Sequence, residues 1–345
     1  MKCVAIGDML LPAAVFDASI PGRSWVTAYE SHDWYVTANI TRDASRTVIR
    51  RMETLGSRAY LPTEEELAWV KDAEVLMTHM YCVPNEVFDA APKLKYVVSC
   101  RGGLENIDLD AAREYGVTVL HCPTHNAYAV AEMAIALMMV ESRNLARSHM
   151  GLVNGQWIER YPNSAAIPEL RGTTVGIIGY GTIGRLVAER LKPFGADIIA
   201  HDPFVADEAI ERDGLRAVDK ATLLRESDFV TLHGRIGPND PPVIGAAELR
   251  LMKPSAYLIN TARAVLVDMD ALYDALAERR IMGAALDVFP MEPLPKDYKF
   301  LSLDNVTLTN HRGGDTLNCF HKAPEMVAGY LEELLEKGTT RYMVR

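Results

Sequence analysis

The sequence predicts an α/β protein built from two doubly wound parallel sheets, on three observations. Short apolar runs alternate with polar, helix-compatible segments along most of the 345 residues, the pattern of parallel strands covered on both faces by helices. The runs fall into two series, each long enough for its own sheet, and a prior of about 150 residues per domain also gives two domains. A glycine-rich turn opens the second series between a β-branched strand and a helix.

In the first series the strands read as KCVAI (2–6), EVLMTH (74–79), KYVVSC (95–100) and VTVLH (117–121), with TEEELAWVKD and IDLDAAREYG as helices between them. NAYAVAEMAIALMMVESRNLARS follows as one long helix, 127–147, apolar around most of its girth and so in need of a partner to bury against. After an irregular stretch with Pro162 and Pro168, the second series supplies TVGIIG, ADIIAHD, DFVTLHG, SAYLINT, MGAALDVF and NVTLTN. Six strands complete a doubly wound sheet by themselves. CFHKAPEMVAGYLEELLEKG closes the chain as an amphipathic helix. The first series and this last helix are left to form the other domain, so the chain leaves one domain, builds the second and returns.

Composition narrows the function classes. A net charge of −10 without a basic run argues against a nucleic-acid partner. Cys3, Cys82, Cys100, Cys122 and Cys319 are odd in number, scattered and without a CxxC pair, which reads as reduced thiols without a zinc site. The N-terminal MKCVAIGDMLLPAAVF has a single lysine and no small-residue cleavage site, and the longest apolar segment is short for a membrane span and contains Glu132. The expectation is a cytoplasmic protein with no membrane partner and no metal.

TVGIIGYGTIGRLVAERLKPFG carries G-x-G-x-x-G as Gly179, Gly181 and Gly184, with Tyr180, Thr182 and Ile183 between them. Gly179 allows the tight turn, Gly181 lets backbone approach a pyrophosphate, and Gly184 lets helix and strand pack closely. The helix N-terminus supplies unpaired N–H groups for the anion. Asp202, at the end of the next strand, suits a ribose diol and repels a 2′-phosphate, so the cofactor expected is NAD rather than NADP. Further along, Arg263, Glu292 and His311 each fall just past a strand end, on the side where such sheets bind ligands. Reducing a 2-keto acid needs a cation for the carboxylate and ketone, an acid for the oxygen, and a carboxylate to favour the charged imidazole. Taken singly, each of the three is better explained as a surface arginine, a helix-capping glutamate or a loop histidine.

GIIGYGTIGR, LINTARAVLVD, ALDVFPMEPLP and NHRGGDT, in this order, resemble the D-isomer-specific 2-hydroxyacid dehydrogenase family. LKYVVSCRGGLENIDLDAAREYGVTVLHCPTHNAYAVAE resembles that family's substrate-domain segment, whereas the first seventy residues match only in general character. The resemblance implies a Rossmann domain over 123–315 inserted into a flavodoxin-like substrate domain of 1–122 and 316–345, with the active site in the cleft between them. It makes Arg263, Glu292 and His311 the catalytic residues, and His233, Thr261, Ala262, Gly313 and Gly314 cofactor contacts beside the glycine turn. Asp287 matches the residue that holds the nicotinamide carboxamide, and the loop Arg101, Gly102, Gly103 matches the one that binds the substrate carboxylate. Members are usually homodimers built on the nucleotide domain, which would give helix 127–147 its partner.

The chain departs from the family in having Ala264 and Val265 where a glycine is common after the catalytic arginine. Arg101 and Arg312 are additional cations that would read a second anionic or hydroxylated part of the substrate, unless they pair with Glu105 and Asp315. Tyr81, with Met80, lies after a strand of the first domain and would border the pocket. Two other readings stay open on the residues: an NAD(H)-sensing, corepressor-like regulator, and a phosphite or formate dehydrogenase on the same scaffold, with Glu292 weighing against formate. No C-terminal regulatory domain with serine feedback is expected.

Overall fold

A computed structural model describes residues 1–34, 42–237 and 240–344 of the chain, with side chains from residue 47 onward in the segment that resumes at 42. The chain divides into two compact units, Met1–Asn126 with Thr316–Arg345, and Ala127–Asp315. The first crossing falls after Asn126 because Thr124 and His125 are still tied to the first unit. Thr124 Oγ1 lies 3.0 Å from the Tyr330 hydroxyl, and His125 Nδ1 lies 2.8 Å from the Cys122 carbonyl oxygen.

The first unit is built on β1 (Lys2–Gly7), β2 (Ala28–Asp33), β3 (Val75–Thr78), β4 (Tyr96–Ser99) and β5 (Thr118–Leu120). They lie in the order β2-β1-β3-β4-β5, all parallel, with the C-terminal strand Met343–Val344 antiparallel at the β5 edge. This is the flavodoxin-like order, with its switch point between β1 and β3. Alternate residues of β1 face opposite layers: Val4 and Ile6 pack into one core, Cys3 and Ala5 into the other. β2, AYESHD, is polar and half exposed at the sheet edge, and so carries no apolar signal in the sequence.

The second unit holds β6 (Thr174–Ile178), β7 (Asp197–His201), β8 (Arg216–Ala217), β9 (Phe229–Leu232), β10 (Tyr257–Asn260), β11 (Gly283–Leu286) and β12 (Val306–Leu308). Their order is β12-β11-β10-β9-β6-β7-β8. Every pair is parallel, the Rossmann arrangement extended by one strand, with its switch point between β6 and β9. The sheet therefore has seven strands rather than six, because two-residue β8 is too short to leave a pattern.

The long apolar segment is two helices rather than one. Ala127–Ser142 ends before Asn144, which is left-handed at φ 57, and Leu145–Val153 starts anew. Asn144 tolerates that conformation better than most residues, and its Nδ2 donates to Asn163 Oδ1 at 2.7 Å. The C-terminal segment is likewise broken, into Leu317–His321 and Ala323–Lys337. Among the described residues, no helix is long and apolar enough to cross a membrane, no cluster fits a metal ion, and all five cysteines are free and buried.

Candidate active site

The residues singled out in the second half of the sequence follow the C-terminal ends of six strands of one sheet. Gly179 follows β6, Asp202 follows β7, His233 follows β9, Thr261–Arg263 follow β10, Asp287 follows β11, and His311 lies three residues after β12. A parallel sheet gathers ligands at this edge.

At the switch point, Gly179 has φ +95, and a β-carbon there would stand 2.4 Å from the Gly234 amide nitrogen. A β-carbon on Gly184 would stand 2.2 Å from the Gly179 carbonyl oxygen, so turn and helix pack backbone to backbone. Gly181 differs: a β-carbon there meets no heavy atom within 4 Å. That open space lies at the N-cap of helix Thr182–Leu191, where free N–H groups collect. Asp202 Oδ2 accepts from the Tyr180 amide at 2.7 Å and Oδ1 from the Phe204 amide at 2.8 Å, so the carboxylate is anchored against the glycine turn. Tyr180 points inward, its hydroxyl 3.0 Å from Asp213 Oδ2.

Two polar atoms at the same sheet edge, after β9 and β10, lack partners among the described residues. His233 Nε2 lies 2.9 Å from Thr231 Oγ1 while its Nδ1 is buried and unpaired, and the Thr261 hydroxyl is also buried and unpaired. Burial pushes the His233 imidazole down to a pKa of about 3, so it is neutral and offers an uncharged ring nitrogen. Orphaned polar groups are costly unless something completes them. Together with the cradle above Gly181, they fit a dinucleotide.

Two of the three catalytic candidates, Glu292 and His311, are paired. Glu292 Oε2 lies 2.8 Å from His311 Nδ1, and its Oε1 accepts from the Phe289 amide at 3.1 Å. His311 is left-handed, at φ 54, and the loop around it is held by Asp287. The buried Asp287 Oδ1 accepts from Thr309 Oγ1 at 2.6 Å and from the Arg312 amide at 2.7 Å, and Oδ2 accepts from the Gly313 amide at 2.7 Å. Both oxygens of Asp287, expected at the nicotinamide carboxamide, thus accept hydrogen bonds from the histidine loop, and Gly313 and Gly314 belong to that same turn. Arg263 is exposed, with Nη1 donating to the Ala262 carbonyl at 2.7 Å. Its loop is clamped by a residue the sequence reading passed over. Asn260 accepts from the Ala262 amide at 3.0 Å and donates to the Arg263 carbonyl at 2.9 Å. The asparagine in LINTAR was the available signal. Ala264 is buried and Val265 exposed in the short 3-10 turn that follows.

The two additional arginines are engaged locally. Arg312 Nε lies 3.1 Å from Asp315 Oδ2, and Arg101 Nη2 lies 3.4 Å from Glu105 Oε2. In the first unit the Arg101–Gly103 loop folds tightly on itself: a β-carbon on Gly103 would stand 2.4 Å from Glu105 Oε2, and one on Gly102 3.1 Å from Pro123 Cα. Tyr81 and Met80, expected at the pocket border, lie in the core of that unit among the described residues. Both are buried, Tyr81 edge-on to Trp34 at 5.8 Å, with its hydroxyl unpaired among the described residues. An aromatic residue after a strand signals core as readily as site.

Fold and turn define a dinucleotide-binding α/β protein, with a Glu–His pair at the same sheet edge. The profile for the D-isomer specific 2-hydroxyacid dehydrogenase NAD binding domain matches residues 135–313. A hydroxypyruvate reductase from Thermotoga maritima is 33% identical over 305 residues, 87% of this chain and 97% of the relative. A D-3-phosphoglycerate dehydrogenase from Methanocaldococcus jannaschii is 39% identical over 277 residues, 80% of this chain. The aligned region is 52% of that relative, so the chain spans about half of its length. The NAD-complexed D-isomer specific 2-hydroxyacid dehydrogenase of Lactobacillus delbrueckii ssp. bulgaricus shares the fold over 100% of both chains, with a TM-score of 0.77 at 24% identity. The chain belongs to the D-isomer specific 2-hydroxyacid dehydrogenase family, and its second unit carries that family's NAD-binding domain.

Proposed function

We propose that the protein is an NAD-dependent enzyme that interconverts a D-2-hydroxy acid and its 2-keto acid. The observation that carries the reading is the Glu292–His311 pair at 2.8 Å, placed at the same sheet edge as the glycine turn and Arg263. When bound, the cofactor supplies or accepts the hydride. Arg263 holds the substrate carboxylate and polarises the ketone, as a planar guanidinium does best. His311 Nε2 gives the proton to the carbonyl oxygen in reduction and takes it back in oxidation, while Glu292 on Nδ1 fixes the ring and balances its charge. The first unit's Arg101–Gly103 loop is proposed as a second carboxylate contact through its backbone. The cofactor contacts proposed are Gly179–Gly184, Asp202, His233, Thr261 and Ala262.

With Arg101 paired to Glu105 and Arg312 to Asp315, we read the substrate as a small monocarboxylate without a second anionic group. Steady-state reduction of glyoxylate, pyruvate, hydroxypyruvate and phosphohydroxypyruvate with NADH tests this. The reading expects D-products and a kcat/KM at least about tenfold higher for an unphosphorylated acid. A preference for the phosphorylated acid would contradict it.

We also read the protein as a cytoplasmic homodimer joined through the second unit. Leu145, Met150, Leu152, Val153 and Trp157 leave large apolar side chains exposed within one short stretch, Trp157 at 82%, as an interface does before its partner is added.

A further inference from the structure

We propose that Arg235 is the cation that meets the pyrophosphate of the bound dinucleotide. The proposal rests on the NAD-binding assignment and extends it to a residue outside the glycine turn. The β9 loop and the turn are in backbone contact: a β-carbon on Gly179 would stand 2.4 Å from the Gly234 nitrogen and 2.7 Å from its Cα. Arg235 is the next residue, one Cα step of about 3.8 Å further on, and a flexible arginine spans from there to the open space above Gly181. Its side chain is exposed and makes no hydrogen bond or ion pair among the described residues.

The charge balance at the turn calls for such a group. A pyrophosphate brings two negative charges, and Asp202, hydrogen-bonded to the Tyr180 amide at 2.7 Å, adds a third. Against these the turn offers N–H groups and a helix N-terminus equivalent to about half a positive charge. Thr182 and Ile183 are neutral. The turn's own arginine, Arg185, is committed elsewhere: it is ion-paired to Asp213, and its guanidinium carbon lies 4.5 Å from the centre of the Tyr180 ring. Arg235 is the neighbouring guanidinium without such a commitment, and guanidinium–phosphate contacts are strong and directional.

Fluorescence titration of the full-length protein with NADH, NADPH and ADP-ribose, at low and moderate salt, tests the assignment on R235Q and R235K. The expected result is a loss of affinity in R235Q of roughly tenfold, equal for NADH and ADP-ribose, with a weaker salt dependence than wild type. R235K should recover part of the loss, and unchanged thermal midpoints would exclude misfolding as its cause. Unchanged NADH affinity in R235Q would overturn the proposal, and so would a loss confined to NADPH, which would put the guanidinium at a 2′-phosphate. Failure of the wild-type protein to bind NADH would contradict the cofactor assignment itself and this proposal with it.

Discussion

Asp287 illustrates how a residue's neighbours define its work. The family resemblance implies a contact with the nicotinamide carboxamide, and in the structure its two oxygens accept from Thr309, Arg312 and Gly313. Those bonds hold His311 at φ 54, a conformation costing a non-glycine residue roughly 1 kcal/mol. Asp287→Asn leaves one of the buried amides without an acceptor, so turnover should fall more than about tenfold while NADH affinity changes little. A rise in the NADH dissociation constant with turnover preserved would return Asp287 to a cofactor contact. Glu292→Gln keeps a hydrogen bond to His311 but removes the charge, and is expected to lower kcat by about ten- to a hundredfold. Wild-type kcat in that variant would leave the carboxylate a structural role only. Arg263, Glu292 and His311 were candidates in the sequence because their residue types suit the reaction and their neighbouring motifs resemble a family's, and the structure pairs Glu292 with His311. Asn260 and Thr309 were not, because a clamp is visible only once the loop it closes has a shape.

At the scale of elements, strands buried on both faces announced themselves and edge strands did not. Tyr257–Asn260 and Gly283–Leu286 are buried throughout, whereas β2 is polar and β8 has only two residues. The break at Asn144 was hidden for another reason. The apolar pattern runs across it, and the φ of 57 is stabilised by Asn163, nineteen residues away in the chain. The glycine turn was fully legible, since Gly179 and Gly184 meet local backbone constraints and Gly181 leaves open space at the helix N-terminus. Gly179→Ala would push a β-carbon to within 2.4 Å of Gly234 backbone at a positive φ, so the turn must shift. The variant should lose NADH binding at least about tenfold and melt lower than wild type. Wild-type NADH affinity in a well-folded Gly179→Ala protein would argue that the cofactor sits elsewhere.

For the molecule as a whole, the two-sheet plan follows from alternation and length, but the electrostatics of its interior depend on burial that no sequence displays. Asp8 is fully buried. Burial pushes its carboxyl up, but His79 at 2.9 Å and the Leu10 and Met80 amides outweigh this and hold it below the usual range. Burial pushes His125 down to about 4. An unfolded histidine takes up its proton near pH 6.5, so His125 favours the folded state fully above that pH. The contribution is lost as pH falls from about 6.5 towards 4, where the unfolded chain binds a proton that the folded chain refuses. The gap in urea midpoint between wild type and His125→Gln should therefore shrink between pH 7.5 and pH 5. A gap that widens on acidification would show that His125 is charged in the folded protein.

In the proposed function, His311 moves the proton in keto-acid reduction on an NAD-binding scaffold. The most direct test of this role is turnover of the preferred 2-keto acid by His311→Ala at saturating NADH, with NADH affinity measured on the same sample. A loss in kcat on the order of 10²–10⁴ with cofactor binding retained is expected. Near-wild-type turnover by a His311→Ala protein that binds NADH normally would contradict it.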